Sequence, residues 1–256
     1  MSDQLTLLGV GASAGTPVVG CECNTCKSTN KKNYRTRCSS VLSLKNGKNI
    51  LIDTSPDLRL QSLRERLTSV DAVLFTHHHA DHCHGIDDLR AFCQINKKQI
   101  PLYGNQFSMD ELNKKFQYAM VEPNGFWETP ILKPNVVNEP FDLFGLAIEP
   151  IPVFHGKSLI NGYRLGNMAY LTDVSKIPDS SMEQLQNLDV LLLDCLRNEP
   201  HPTHFSYMES IDVAIVLGAK KTFLIHMTHD LEYDALSKKL PESIYVGYDG
   251  LKINVN

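Results

Sequence analysis

The 256-residue sequence lacks the features that mark membrane proteins and nucleic-acid-binding proteins. No apolar run approaches the ~20 residues that cross a bilayer, so we expect no membrane partner. The first residues carry no basic segment followed by an apolar stretch, so we predict no export signal and a cytoplasmic location. The net charge of −4 gives no general attraction for nucleic acid, which is therefore not an expected partner.

Repeats at a solenoid period and low-complexity linkers are also missing. The hydrophobic fraction of 42% and the charged fraction of 21% are ordinary for a globular protein. A chain of this length can bury a large core, and we predict a single domain over residues 1–256. The sequence leaves the oligomeric state open, with a homodimer among the options.

The sequence contains seven cysteines, and three of them crowd together as Cys21, Cys23 and Cys26. In a chain without an export signal, such crowding favours metal binding over disulfides. Three thiolates at this spacing suit tetrahedral zinc and need a fourth ligand, for which spacing alone offers Cys38 or a distant histidine. We therefore predict a zinc-binding loop at residues 16–38.

A second cluster of ligand-type residues lies at 76–82, Thr-His-His-His-Ala-Asp-His, between an apolar β-favouring segment and one with helical spacing. On an extended segment His77 and His79 point the same way and His78 points the opposite way, because side chains alternate with period two. Asp81 and His82 follow where the chain turns into the helix. Four ligand-type side chains in six residues exceed what one metal takes from one loop, which predicts two metals side by side.

Further along the chain, four predicted strands each end just before a histidine or aspartate, namely His155, Asp173, Asp194 and His226. Ligands gather at the carboxyl ends of strands in layered α/β folds, so we expect these side chains to meet the 76–82 motif. Asp53 also follows a predicted strand, and a supporting role fits it better than a ligand role.

A site for two divalent metals needs about three protein ligands for each ion, a bridging carboxylate and a shared water whose pKa falls towards ~7. A carboxylate with two oxygens is the natural bridge. We assign His77, His79 and His155 to the first metal and Asp81, His82 and His226 to the second, with Asp173 between them. The mixed nitrogen and oxygen donors suit Mn²⁺ or Zn²⁺ among other ions.

The proline-rich loop 196–206 follows a predicted core strand and carries His204, which we choose as a general acid for a leaving oxygen. The alternative for His204 is an ordinary surface histidine. We expect His84 and His201 to be structural or exposed. Residues 116–138, which hold several prolines, are either a lid over the site or a surface connection.

The remaining pattern predicts hairpins, helices and one glycine-rich turn. Gly9, Gly11 and Gly15 form the turn, and their spacing does not match a dinucleotide site. Hairpins are predicted over residues 39–52 and 246–255, where Asn-Gly and Asp-Gly pairs supply the turns. Helices are predicted over residues 56–67, 85–92, 109–120, 176–187 and 207–217.

The order of these residues resembles the metallo-β-lactamase superfamily, whose H-x-H-x-D-H block is followed by a histidine, an aspartate and a histidine. The resemblance implies an α/β fold of the αββα type, with two mixed β-sheets flanked by helices. Within the superfamily the chain is most similar to the phosphoribosyl cyclic phosphodiesterase family of the carbon–phosphorus lyase pathway. The cysteine cluster is shared with the pyrroloquinoline quinone B proteins.

This resemblance implies a structural Zn²⁺ held by Cys21, Cys23, Cys26 and His229, and a general acid at His204. It also implies a dinuclear phosphodiesterase in which metal-bound hydroxide attacks phosphorus, and in which Asp81 is essential. The expected partner is a small phosphorylated substrate such as phosphoribosyl 1,2-cyclic phosphate or a 2′,3′-cyclic nucleotide. The alternatives are a tRNA 3′-end endonuclease, a lactonase or thioesterase, and a non-catalytic carrier protein of cofactor biosynthesis.

Overall fold

The computed structural model describes residues 2–120 and 132–255, in which the strands form two sheets. In chain order the strands are β1 Asp3–Gly9, β2 Ser39–Ser43, β3 Asn49–Ile52, β4 Ala72–Leu74, β5 Ile100–Gly104, β6 Leu132–Val136, β7 Phe141–Leu143, β8 Leu146–His155, β9 Ser158–Leu165, β10 Met168–Leu171, β11 Val190–Asp194, β12 Lys221–Ile225, β13 Ile244–Val246 and β14 Lys252–Val255. The α-helices of the same residues are α1 Leu58–Glu65, α2 Ala80–Cys83, α3 Leu89–Asn96, α4 Gln106–Lys115, α5 Asp179–Gln184, α6 Tyr207–Leu217 and α7 Tyr233–Ser237.

Both sheets are mixed. The first has the order β14-β1-β2-β3-β4-β5-β6 and the second the order β13-β12-β11-β10-β9-β8-β7. Strands β3 to β6 run parallel, as do β10 to β13. In the second sheet Met168 pairs with Val190, which sets the register of β10 against β11. Parallel strands end at the same edge of a sheet, so each sheet brings several loops to one edge.

The strands place their side chains alternately on the two faces of each sheet. In β3, Ile50 and Ile52 enter the core between the sheets, while Leu51 faces a second core beneath α1, α3 and α4. Tyr163 and Leu192 of the second sheet join the inner core, and the Tyr163 hydroxyl donates to Phe75 O, just after β4. The layers are therefore helix, sheet, sheet and helix, and the predicted αββα fold is confirmed.

The predicted hairpin over residues 246–255 is wrong. Val246 ends β13 in the second sheet, whereas Lys252 begins β14 in the first. The chain crosses between the sheets because the N–H of Gly247 donates to Leu224 O and that of Gly250 donates to Leu7 O. The other predicted hairpin is confirmed, since β2 and β3 pair antiparallel.

The predicted helix at 207–217 is present as α6, which Ser206 and Glu209 begin with a capping box. The helix predicted over 176–187 is limited to α5, because Pro178 is extended at its start. The helix predicted over 109–120 begins earlier, at Gln106, and ends at Lys115.

Residues 121–131 of the predicted lid at 116–138 lie outside the described residues. The described parts of that range hold the end of α4, a 3-10 turn at Gln117–Ala119 and β6. No helix within residues 2–120 and 132–255 has the length and apolar character needed to cross a membrane.

Candidate metal centre

The ends of five strands carry most of the predicted site residues to one edge of the two sheets. Asp53 follows β3, and His77 follows β4. In the second sheet His155 ends β8, Asp173 follows β10, and His226 follows β12. The facing sheets therefore bring together residues that are up to 173 positions apart in the chain, counting from Asp53 to His226.

The backbone is strained at three of these positions. Asp53, Asp173 and His226 each adopt a φ of 59°, a left-handed conformation that non-glycine residues rarely take. Each such residue costs on the order of 1–3 kcal/mol and persists only where its surroundings enforce it. The repetition of this turn at three strand ends indicates a site in which side-chain direction is fixed at the expense of stability.

His77, His79 and His155 form the first group of donor atoms, all within 4.8 Å of one another. The Nδ1 of His155 lies 2.9 Å from Thr203 O, so this nitrogen carries the proton and Nε2 is free to bind a metal. Burial lowers the pKa of all three rings. The neutral imidazole that results is the form that binds metal ions.

Asp81, His82, Asp173 and His226 form a second group with the same spacing. Asp173 Oδ2 lies 3.1 Å from His82 Nε2 and 3.4 Å from His226 Nε2. The other carboxylate oxygen of Asp173, Oδ1, lies 3.9 Å from His77 Nε2 in the first group. Asp173 thus faces both groups with different oxygens, as a bridging carboxylate would. We call the two groups together the His/Asp centre.

The His/Asp centre fits two cations on grounds of its own chemistry. The Nε2 atoms of His77, His82 and His226 are buried and have no hydrogen-bond partner among the described residues. Unpaired buried ring nitrogens are costly, and a metal ion would satisfy them. Burial opposes the charged form of His226, but the carboxylates of Asp173, Asp81 and Asp194 together outweigh it and raise the pKa of His226 to about 9. The negative charge of the carboxylates therefore favours a cation at this point.

Two further side chains hold candidate ligands in place from behind. The fully buried carboxylate of Asp53 lies 2.7 Å from His82 Nδ1 and accepts hydrogen bonds of 2.8 Å from the N–H and the hydroxyl of Thr76. This contact fixes the ring so that Nε2 faces the centre. Ser13, which the sequence analysis did not identify, donates a 2.7 Å hydrogen bond to Asp81 Oδ2.

His204 lies beside the centre without belonging to either main donor group. Its Nε2 is 3.8 Å from Asp173 Oδ1, and its ring stacks on that of His226 at 5.0 Å. Its Nδ1 is 3.2 Å from Asp194 Oδ2, which also accepts from the N–H of Phe205. The sequence placed Asp194 at a strand end but gave it no role. Its position at a strand end, like those of His155, Asp173 and His226, was the pattern that could have indicated a role for Asp194.

Three other histidines, His84, His78 and His201, belong to neither of the two donor groups. His84 is exposed. The ring of His78 packs against Phe107, with 5.0 Å between centroids, and joins neither donor group. His201 was expected to be structural or exposed. It is half-buried, and its ring centroid lies 5.3 Å from that of His204, so it borders the centre.

The three clustered cysteines meet a distant histidine rather than Cys38. The Sγ atoms of Cys21, Cys23 and Cys26 lie 3.2, 3.4 and 3.4 Å from His229 Nδ1. A tetrahedral zinc ion places sulfur and nitrogen ligands about 3.6 Å apart, so these spacings suit zinc. Cys38 is buried elsewhere, 3.2 Å from the Tyr170 hydroxyl. We call the three cysteines and His229 the thiolate cluster.

A buried arginine joins the two chain segments that form the thiolate cluster. Arg35 is 1% exposed and donates from Nη1 to Thr228 O at 2.8 Å and from Nη2 to Leu231 O at 2.5 Å. These carbonyls flank His229. The backbone of Arg35 also pairs with Thr16, which leads into the cysteine loop. No local pattern in the sequence marks the burial of Arg35.

The sequence profile of the Beta-lactamase superfamily domain matches residues 48–227, which is more than half of the chain. The chain belongs to the metallo-β-lactamase superfamily. The predicted superfamily resemblance is thus confirmed.

Among solved structures, a diphosphatase of the PhnP family is 41% identical, with a TM-score of 0.93 over 99% of this chain and 98% of that one. A curated octanoyltransferase of Porphyromonas gingivalis is 39% identical over 251 residues, which are 96% of this chain and 50% of that protein. The chain therefore spans about half the length of that relative. The zinc-bound PqqB structure from Methylobacterium extorquens shares the fold, at 18% identity, with a TM-score of 0.79 over 98% of this chain and 100% of that one.

Proposed function

We propose that this protein is a dinuclear metal-dependent phosphoric diester hydrolase acting on a small phosphorylated substrate. The substrate we favour is a cyclic phosphate such as phosphoribosyl 1,2-cyclic phosphate or a 2′,3′-cyclic nucleotide. One observation carries the proposal: Asp173 Oδ1 lies 3.9 Å from His77 Nε2 and 3.8 Å from His204 Nε2. A candidate metal ligand and a candidate proton donor thus border the same small volume.

Seven side chains would hold the metals: His77, His79 and His155 for one, Asp81, His82 and His226 for the other, and Asp173 between them. When bound, two divalent ions such as Mn²⁺ or Zn²⁺ would activate a shared water and neutralise charge on the phosphoryl oxygens. The thiolate cluster would hold one structural Zn²⁺, because four protein donors leave no open position.

His204 would supply the proton that the leaving oxygen needs. The Asp194 carboxylate accepts from Nδ1, so the protonated ring presents its second proton on Nε2, the nitrogen nearer to Asp173. The oxygen of a water molecule bonds to phosphorus, and that water releases one proton to solvent. The bond from phosphorus to the sugar oxygen breaks, its electron pair stays on that oxygen, and the Nε2 proton transfers to it. His204 is left neutral, and the cyclic ester becomes a monoester.

The diphosphatase that is 41% identical supports chemistry at phosphorus, since diphosphate and phosphodiester cleavage both break a phosphorus–oxygen bond. The octanoyltransferase name describes a protein twice as long, so acyl chemistry enters only as an outcome of the test. The net charge of −4 argues against the alternative of tRNA processing, because phosphate contacts dominate nucleic-acid affinity.

The test is hydrolysis by metal-loaded protein of 2′,3′-cyclic AMP, a chromogenic phosphodiester, a dinucleoside diphosphate, a tRNA precursor and a chromogenic octanoyl ester. We expect phosphorus–oxygen cleavage of the small substrates. Turnover of the octanoyl ester or of the tRNA precursor alone would overturn the proposal.

Replacing His204 with Asn tests the acid. We expect kcat for 2′,3′-cyclic AMP to fall about 10²- to 10⁴-fold. The chromogenic ester should lose much less, because its leaving group departs without a proton. His84→Asn is the matched control, since His84 is exposed and outside the centre. Equal losses for both substrates in His204→Asn would contradict the acid role.

A further inference from the structure

The loop that carries the candidate proton donor meets the first donor group of the His/Asp centre at Thr203. His155 ends β8 and His204 lies in the loop after β11, yet the centroids of their rings are 4.8 Å apart. Donor atoms of His155, Asp173 and His204 lie within 4.8 Å of one another. A metal ligand and a proton donor that share so small a volume need a fixed relative position, and Thr203 contacts the segments of both.

The carbonyl of Thr203 connects the two histidines. Thr203 O accepts a 2.9 Å hydrogen bond from His155 Nδ1. This oxygen belongs to the planar peptide unit that also contains the backbone nitrogen of His204, so the direction of the carbonyl fixes the direction in which the chain enters His204. The hydrogen bond that orients the candidate metal ligand therefore also orients the main chain of the proton donor. Asp194 holds the ring of His204, and Thr203 holds its backbone.

The loop 196–206 holds Thr203 from its other side. At the base of the loop, the N–H of Leu196 donates to Phe205 O at 3.0 Å. Next to Thr203, the Nδ1 of His201 accepts from the Thr203 N–H at 3.4 Å and lies 3.1 Å from the Thr203 hydroxyl. Thr203 is thus fixed within its own loop, and a displacement of Thr203 would carry the adjoining His204 with it.

The methyl group of Thr203 packs against the turn that follows His155. A Cβ placed on Gly156 would lie 2.8 Å from Thr203 Cγ2, which is closer than side-chain carbons approach one another. Gly156 also has a φ of 61°, a left-handed conformation that favours glycine. A glycine at this position therefore lets the turn approach Thr203 closely. Thr203 is held against His155 and against the residue that follows it.

We propose that Thr203 is a positioning residue that sets the proton donor His204 relative to the first metal position. The proposal rests on the proposed function and deepens it, because it names the residue that links metal binding at His155 to protonation of the leaving oxygen. Thr203 acts through these two histidines. A disturbed contact between Thr203 and Gly156 should therefore slow substrates whose leaving oxygen needs a proton more than substrates whose leaving group does not.

Gly156→Ala tests the contact. The added Cβ must displace Thr203, and small misplacements of a catalytic group are costly. At saturating metal we expect kcat for 2′,3′-cyclic AMP to fall about 10- to 100-fold and the chromogenic phosphodiester to lose much less. Gly166→Ala is the matched control. Gly166 has a similar φ of 59°, but a Cβ there would lie 3.5 Å from Leu146 Cδ1, an ordinary contact. This variant should hydrolyse both substrates as wild type does.

Thr203→Ser provides the rescue, because it removes Cγ2 and keeps the hydroxyl and the carbonyl. In the double variant Gly156→Ala/Thr203→Ser the new Cβ has room, so kcat for 2′,3′-cyclic AMP should recover about tenfold relative to Gly156→Ala. A loss caused only by the strain of alanine at a left-handed φ would not be reversed by Thr203→Ser.

Thr203→Ala gives a test that does not require Gly156→Ala to fold. It removes the methyl and hydroxyl contacts without adding an atom. We expect kcat for 2′,3′-cyclic AMP to fall about tenfold, with a much smaller loss for the chromogenic phosphodiester. Thr203→Ser, which keeps the hydroxyl, should lie between Thr203→Ala and wild type.

Metal affinity gives a readout that does not depend on turnover. Because His155 donates to Thr203 O, Gly156→Ala should lose about tenfold in metal affinity in a chelator competition, and the double variant should regain it. Equal kcat losses for the two substrates in Gly156→Ala and Thr203→Ala would overturn the positioning role. So would a double variant no better than Gly156→Ala. Hydrolysis of neither substrate by wild type would instead overturn the proposed function.

Discussion

The thiolate cluster and the His/Asp centre are two candidate metal sites in one chain, built in opposite ways. The cluster takes three donors from a six-residue stretch of surface loop, and Cys23 is exposed. The centre takes its donors from strand ends on two facing sheets and from the start of α2, and all but His79 are buried. Loop donors can adjust to an ion, whereas strand ends fix their side chains before one arrives.

The two sites also differ in the number of donor side chains available for each metal ion. The cluster has four donors for one ion, which closes a tetrahedron. The centre has seven donors for two ions, which leaves positions for water and substrate. It also has Asp53 and Asp194 behind its histidines, whereas His229 has only a half-exposed carboxylate 3.8 Å away. We infer that the cluster stabilises the fold and the centre performs the chemistry.

The largest expected effect that separates the two sites comes from Asp81→Ala. Because Asp81 belongs to the centre alone, we expect phosphodiesterase kcat to fall by about 10³-fold or more, which is about 4 kcal/mol. Elemental analysis should show that the zinc of the thiolate cluster is retained. Unchanged turnover in this variant would remove Asp81 from the catalytic centre.

The converse variant is Cys26→Ser, which should lower the stability of the fold more than it lowers kcat. Losing the bound ion should cost about 3 kcal/mol, or roughly 6–12 °C in Tm for a chain of this size, measured by thermal unfolding. Cys38→Ser is the control, because Cys38 is buried but outside the cluster, and it should retain every metal ion. If Cys26→Ser kept its Tm and its metal content, the cluster would not be a structural site.

Two matched variants of the carboxylates behind the histidines should give an effect of intermediate size. Asp53→Asn removes the acceptor of His82 Nδ1, and we expect metal affinity at the centre to fall about 10- to 100-fold in a chelator competition. Asp230→Asn removes the carboxylate near His229, and we expect almost no change because that carboxylate is half-exposed. Equal losses of metal affinity in the two variants would show that both sites depend to the same degree on the carboxylate behind a histidine.

The smallest effect concerns the thiols of metal-free protein. The N–H of Cys26 donates to the Cys23 sulfur and lowers the pKa of Cys23 to about 6, whereas burial raises the pKa of Cys26 to about 11. Thiolate forms as pH rises through the pKa, so Cys23 should be half-reactive with iodoacetamide near pH 6 and Cys26 only near pH 11. Mass spectrometry of peptides from a pH series measures both. Similar profiles for the two cysteines would contradict this account of the loop.

Local patterns in the sequence predicted the parts of the site that local geometry controls. The two-residue period of an extended segment placed His77 and His79 together, and the repeated strand ends indicated Asp173 and His226. The contacts of Ser13 with Asp81 and of Arg35 with Leu231 have no such signal, since each joins residues far apart in the chain. Only the packed fold determines them.

The errors in the fold prediction have the same origin. Asp249-Gly250 does make a turn, but the carboxylate of Asp249 accepts from the N–H groups of Val10 and Thr36, which holds the crossing between the sheets. Asn161-Gly162 is a turn signal that falls inside β9, a strand that was not predicted. There a Cβ in place of the glycine would collide with Leu171, so Gly162 serves close packing rather than a turn.

Elemental analysis of the fully loaded protein, measured together with Cys26→Ser and Asp81→Ala, tests the distinction between the two sites most directly. We predict about three ions per wild-type chain, loss of one with catalysis largely retained in Cys26→Ser, and loss of catalysis with the thiolate-bound zinc retained in Asp81→Ala. A wild-type chain that takes up only the ion of the thiolate cluster, under conditions of full occupancy, would contradict the account.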